Sequence, residues 1–144
     1  MHESDTIKLL RECDAGVQMA IESFDEMLDD VQDCALRACL LDNRNKHDRI
    51  LSDIKNHLMA HSDCGKELSP VAKGMAWFKT NAKLAMDHSD ATIANLITDG
   101  CNMGVKSLNQ YLNEFSQADE SAKEITRRLI FLEETLSTDL RPYL

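Results

Sequence analysis

Two polar side chains, Asn43 and His47, interrupt an apolar helical pattern in the segment CLLDNRNKHDRILSDIKNHL, residues 39–58. Apolar residues recur at intervals of three or four on both sides of them, including Leu40 and Ile50. This period predicts that Asn43 and His47 face the core of a helical protein. A buried histidine can ligate a metal ion, act as a base or bond to a neighbouring carboxylate.

The number of ligands near His47 argues against a di-iron centre. Di-iron bundles use Glu-x-x-His on two helices and a single Glu on each of the other two. The residue three before His47 is Arg44, whose guanidinium cannot ligate a metal, and Glu133 and Asp14 are the acids we expect nearby. We therefore predict a core polar layer in which His47 bonds Asp14 or Glu133, completed by Asn43 or Arg44. The alternative is a site for iron or zinc that uses His47, Glu133 and Asp14.

A second set of possible ligands lies near the end of the same helix. Asp53, His57 and His61 are spaced by four residues and share one helical face, and Cys64 follows just beyond. Two imidazoles at i and i+4 can hold Zn²⁺. Histidines near the C-terminus of a helix also interact favourably with its dipole while remaining in water, and we favour that interpretation.

Small residues at Gly100, Cys101 and Gly104 mark a third feature. Glycine inside a helix costs about 0.5–1 kcal/mol relative to alanine, so the spacing indicates that something requires the room. Close helix–helix packing is the favoured explanation, and a niche for a small-molecule ligand is the alternative.

The composition limits the class of protein. A chain of 144 residues with 43% hydrophobic residues predicts a single domain over residues 1–144. The net charge of −9 disfavours nucleic-acid binding, and we find no basic cluster or long apolar run that indicates a membrane. Five cysteines without a Cys-x-x-Cys motif, and no secretory leader, predict a cytoplasmic protein with reduced thiols.

The elements that position these residues are predicted to be helices. Helical blocks are expected over 5–29, 33–61, 69–87 and 90–115. A last block opens at the segment DESAKE, residues 119–124, where Ser121 and Glu124 have capping-box spacing. Ser4 or Asp5, and Ser89 or Asp90, are candidate N-caps. We predict an all-α, antiparallel up-down four-helix bundle whose third helix is divided near His88-Ser89. One continuous third helix is the competing prediction.

Several segments together resemble an uncharacterised ferritin-like, rubrerythrin-related family of small bacterial proteins from clostridia and related anaerobes. They are listed here in chain order: LLRECDAGVQMAIESF, LRACLLDNRNKHDRILSDI, SPVAKGMAWFK, IANLITDGCNMGVKSLNQYLNEF and LIFLEETLSTDLRPYL. The resemblance covers nearly the whole chain and implies a ferritin-like bundle without an established reaction. It places the Glu-x-x-His positions of the second helix at Arg44 and His47, and those of the fourth near Glu133 and Leu136. The glutamate of the third helix falls at or beside Cys101.

These observations favour a non-enzymatic bundle that acts through protein–protein contacts, as a homodimer or with another protein, and without a cofactor. A metal-binding or oxidoreductase bundle is the alternative. A small-molecule binder that uses the niche at Gly100 and Gly104 is the third hypothesis.

Overall fold

A computed structural model describes residues 4–61 and 88–144. The described residues form four α-helices and two short 3-10 turns, and they contain no strand, so the all-α prediction is confirmed. The helices are α1 (Asp5–Met27), α2 (Cys34–Ala60), α3 (Asp90–Glu114) and α4 (Glu120–Asp139). The turns are Leu28–Asp30 and Arg141–Tyr143.

Each α-helix begins at a side chain that accepts a hydrogen bond from an otherwise unpaired backbone N–H group of its first turn. Ser4 and Ser89 cap α1 and α3, as the sequence predicts, and Asp33 caps α2. The predicted capping box at Ser121 is wrong, because the N-cap of α4 lies two residues before Ser121. Asp119 is its N-cap and accepts from the backbone N–H of Ala122 at 2.8 Å.

The apolar stripes of the helices meet in two groups of buried residues that follow each other along the bundle. The first centres on Leu9, Cys13, Ile54 and Leu129. The second centres on Phe24, Leu40, Ile97, Cys101 and Leu136. Free cysteine behaves as a small apolar residue in such positions. Cys13 and Cys101 are buried, while Cys39 is half-buried beside the second group.

The contacts at the helix ends fix the direction of α2 relative to α3. The backbone N–H groups of Gln32 and Asp33, just before α2, donate to the carboxylate of Asp90 at 2.8 and 2.9 Å. At the other end, His61 Nε2 lies 3.6 Å from the carboxylate of Asp119, which follows α3. The starts of α2 and α3 therefore lie together, as do their ends, and the two helices run in the same direction.

The directions of α1 and α4 follow from one further contact. Thr6, in the first turn of α1, accepts a hydrogen bond from the backbone N–H of Asp119 at the start of α4. These two helices therefore start at the same end of the bundle, opposite to the start of α2. α1 and α2 are therefore antiparallel to each other, as are α3 and α4.

The helix predicted over 69–87 lies outside the described residues. The start of α3 at Asp90, with Ser89 as its cap, agrees with a boundary near His88-Ser89. His88 itself is exposed, and its Nδ1 lies 2.9 Å from Oδ2 of Asp30 in the first 3-10 turn.

Candidate functional site

His47 lies in the interior of the bundle, where the helical period of α2 places it. Its side chain is 1% exposed, and Asn43, one turn earlier, is also buried. The ring of Phe24 on α1 meets the imidazole edge-on, with 5.4 Å between the ring centroids. The prediction that both polar residues face the core is therefore confirmed, and an aromatic ring forms one wall of the site.

The hydrogen bond at one ring nitrogen determines the role of the other. His47 Nδ1 lies 2.9 Å from the backbone carbonyl oxygen of Asn43. A carbonyl oxygen can only accept, so Nδ1 carries the proton of this bond. In a neutral imidazole, Nε2 then holds a lone pair. Nε2 lies 4.0 Å from Oε1 of Glu133, which is longer than a direct hydrogen bond.

Glu133 brings a carboxylate into the interior from α4, with its side chain only 12% exposed. Burial raises the pKa of this carboxyl above its ordinary value, and the nearby imidazole of His47 partly offsets that rise. The carboxylate oxygen Oε2 has no hydrogen-bond partner among the described residues. The charged form of Glu133 is thus poorly compensated by its protein neighbours.

The carboxylate of Glu133 lies directly over the backbone of Gly104 on α3. A β-carbon at this position would overlap Oε2 and come within 2.8 Å of the Glu133 carboxyl carbon. Close helix packing was predicted here, and the specific neighbour is the buried carboxylate. Gly100, one turn earlier, is half-buried.

Cys101 lies near this layer as a buried thiol. Burial, together with the charge of Glu133, raises the pKa of the Cys101 thiol far above its ordinary value. The reactive form of cysteine is the thiolate, so this environment opposes nucleophilic chemistry at Cys101.

Two residues predicted for the layer are engaged elsewhere. Asp14 is fully buried, but its two carboxylate oxygens accept from Gln18 Nε2 at 2.9 Å and Lys55 Nζ at 3.0 Å, rather than from His47. Arg44 binds the carboxylate of Asp25 through two hydrogen bonds of 2.6 and 3.2 Å. An arginine paired at the surface avoids the cost of burying a guanidinium, which is why Arg44 does not enter the layer.

The second predicted set of ligands does not converge in the described residues. Asp53 accepts from Arg128 Nη1 at 3.0 Å, and His57 Nδ1 bonds the backbone carbonyl of Asp53. His61 faces Asp119 instead. Cys64 lies outside the described residues. More generally, the described ranges 4–61 and 88–144 contain no group of three or more His, Cys, Asp or Glu side chains placed to hold a metal ion.

Comparisons with protein-family models, with curated proteins and with solved structures found no match. Within the described part of the chain, none of the helices has the length and apolar character needed to cross a bilayer.

Sequence reasoning missed Lys55 and the pairing of Gly104 with Glu133. Lys55 lies between Leu51 and Leu58 on a mostly apolar helix face. A lysine in such a position indicates that its stem packs on apolar residues while its amine binds an acidic side chain. The glycine at 104 signalled a need for space, but the sequence does not reveal whether a helix backbone or a side chain fills it.

Proposed function

We propose that this chain is a non-enzymatic, ferritin-like helical bundle of the bacterial cytoplasm that acts through protein–protein contacts. The pair His47 and Glu133 takes the place of a di-iron centre in its interior. The observation that carries the proposal is the position of Arg44. Its guanidinium binds Asp25 at the surface, so α2 offers His47 as its inward metal-binding group where a di-iron helix offers two.

The four described helices pack together around a shared interior, and this supports the helical-bundle part of the proposal.

The donor set supports the absence of di-iron chemistry. Two metal ions in a bundle require about six carboxylate and imidazole ligands. At this level of the bundle, α3 offers Gly104 and the buried thiol of Cys101, which is held protonated, while Asp14 of α1 is bound to Lys55. The residues present therefore do not fit a di-iron group.

Exposed apolar side chains support a role in protein contacts. Phe131 on α4 is 70% exposed and Met59 near the end of α2 is 71% exposed. Aromatic residues and methionine are enriched in protein interfaces, and burying one such side chain contributes about 1.5–3 kcal/mol. The first partner to test is a second copy of the chain.

Sedimentation equilibrium of the full chain tests this proposal. We expect a mass of twice 16.2 kDa for the wild type. The dimer dissociation constant should be at least about tenfold higher in F131A. The control T135A removes an exposed side chain one turn further along α4 and should leave the dimer unchanged. A wild-type chain that stays monomeric, and that retains no other protein in a crosslinking experiment in its own cells, would overturn the proposal.

One observation favours a second candidate, a metal-binding or oxidoreductase bundle that uses His47, Glu133 and Asp14. His47 Nε2 and Glu133 Oε2 are buried and without partners among the described residues, and the bond at Nδ1 leaves Nε2 free to act as a ligand. Asp14 would have to leave Lys55 and Gln18 to join them. Iron or zinc would be the ion, and its measured content distinguishes this candidate from the first.

A further inference from the structure

Phe131 lies on the outer face of α4, on the side of the helix opposite to its buried leucines. Its side chain is 70% exposed, whereas Leu129 and Leu136 of the same helix are buried. Residues three and four positions away from Phe131 share its face of the helix. They include Arg127 before it and Glu134 after it, and both are exposed. The outer face of α4 therefore presents an aromatic ring between a cation and an anion.

The charges on this face are arranged so that the two ends of the helix complement each other. The exposed charged residues within about 60° of Phe131 around the helix axis are Glu120, Glu124, Arg127, Arg128 and Glu134. Turning the helix end over end about Phe131 places Glu134 where the two arginines were. It places the uncharged residues Pro142 and Thr138 where Glu120 and Glu124 were. No charge is brought onto another of the same sign.

Arg127 and Glu134 lie on the same side of Phe131. With about 3.6 residues per turn, they are about 40° and 60° from Phe131 in the same direction around the axis, about 6 Å before it and about 4.5 Å after it. In an antiparallel pair of identical helices with a two-fold axis at Phe131, Arg127 of each helix therefore faces Glu134 of the other. In a parallel pair each residue faces its own copy, so like charges meet. The charge pattern thus favours an antiparallel pair.

Arg127 can change its partner at little cost. Its Nη1 lies 3.6 Å from Oε2 of Glu120, and the two side chains are 57% and 82% exposed. Exposed ion pairs of this kind contribute little to stability. Arg128, by contrast, lies 3.0 Å from Oδ2 of Asp53 and ties α4 to α2 within the same chain. Arg127 is therefore the arginine best placed to bind a carboxylate of another molecule.

We propose that the outer face of α4 is an isologous interface with a second copy of this chain. The two α4 helices cross antiparallel with their Phe131 rings in contact, and Arg127 pairs with Glu134 of the partner subunit on each side of the two-fold axis. This local complementarity allows two chains of net charge −9 to associate. A contact between two single helices belongs to the small class of interfaces, below about 1,200 Å², so the dimer should dissociate reversibly. The inference rests on the proposed function, because it names the surface through which two copies meet.

Charge reversal tests this interface by sedimentation equilibrium of the full chain. R127E places two anions opposite each other and E134R two cations, so each variant alone should raise the dimer dissociation constant at least about tenfold. An equimolar mixture of the two variants should restore it to within about threefold of the wild type, because both reciprocal pairs then have opposite signs. Only pairing between two subunits predicts this rescue. The control K106E reverses an exposed lysine on α3 and should leave the dissociation constant unchanged.

The outcomes separate this inference from the proposed function. Dimers that both substitutions weaken and that the mixture restores support the interface. Dimers that neither substitution weakens, or that the mixture does not restore, overturn the inference and leave the proposed protein contacts intact. A monomeric wild type that binds a different protein also overturns the inference alone, whereas a monomer that retains no partner overturns both.

Discussion

The carboxylate of Glu133 on α4 fills the space beside Gly104 on α3 that a side chain would need, since a β-carbon on Gly104 would overlap Oε2 of this buried carboxylate. This explains a glycine in the interior of a helix, where it is otherwise unfavourable. We predict that G104A gains less stability in urea unfolding than the roughly 0.5–1 kcal/mol expected of alanine in place of glycine in a helix, because the flexible end of Glu133 must move away from the new β-carbon.

Gly16 provides the matched control for this substitution. It also lies inside a helix, α1, but a β-carbon there meets no other atom within 4 Å. We expect G16A to stabilise the protein by about 0.5–1 kcal/mol, the ordinary difference between the two residues in a helix. If both substitutions stabilised the protein by the same amount, the crowding between Gly104 and Glu133 would be refuted.

The buried carboxyl of Glu133 should make stability depend on pH. Burial raises its pKa above the ordinary value of 4.5, so the folded state binds the proton more tightly than the unfolded chain does. The resulting stabilisation is fully present below pH 4.5 and is lost as the pH rises through the folded pKa. Each unit of that rise corresponds to about 1.4 kcal/mol.

Urea unfolding of the wild type and E133Q at pH 5 and pH 8, in sodium salts, checks this prediction. The stability of the wild type relative to E133Q should be greater at pH 5 than at pH 8. The control E134Q, in which an exposed carboxylate is replaced, should show no such difference. If the stability of E133Q relative to the wild type increased as the pH falls, the raised pKa of Glu133 would be contradicted.

Lys55 and Asp14 form an ion pair in which only the lysine reaches water, with side chains 44% and 0% exposed. We predict that K55A destabilises the protein by about 1–2 kcal/mol, because within the described residues it leaves Gln18 as the one side-chain donor to the buried carboxylate. The control K46A removes an exposed lysine from an i, i+4 pair with Asp42 on the same helix and should cost less than about 0.5 kcal/mol. Equal effects of the two substitutions in thermal unfolding would show that Asp14 does not depend on Lys55.

The sequence predicts the helices and the inward positions of α2 well, because both depend on local signals. N-cap side chains such as Ser4 and Ser89 mark where helices begin, and the helical period places Asn43 and His47 inside. At Asp119 the same rule fails, since Ser121 and Glu124 offer a competing cap signal two residues later. Local capping patterns therefore locate a helix start only to within a few residues.

The partners of charged residues and the direction of α3 could not be predicted in the same way. Arg44 follows a core position, and only the proximity of Asp25 on α1 explains why its guanidinium stays at the surface. Asp14 likewise has its partner, Lys55, on another helix. Helix direction depends on which end of the bundle the chain reaches before His88, and this is a tertiary property without a local sequence signal.

The metal content of the full chain, purified without nickel affinity and measured by elemental analysis, tests most directly whether His47 and Glu133 replace a di-iron centre. The proposed function predicts less than about 0.1 equivalent of iron, zinc or manganese, with the same value in H47A, since two ligands do not form a closed metal site. Stoichiometric metal in the wild-type protein that disappears in H47A would contradict the account and establish the metal-binding alternative.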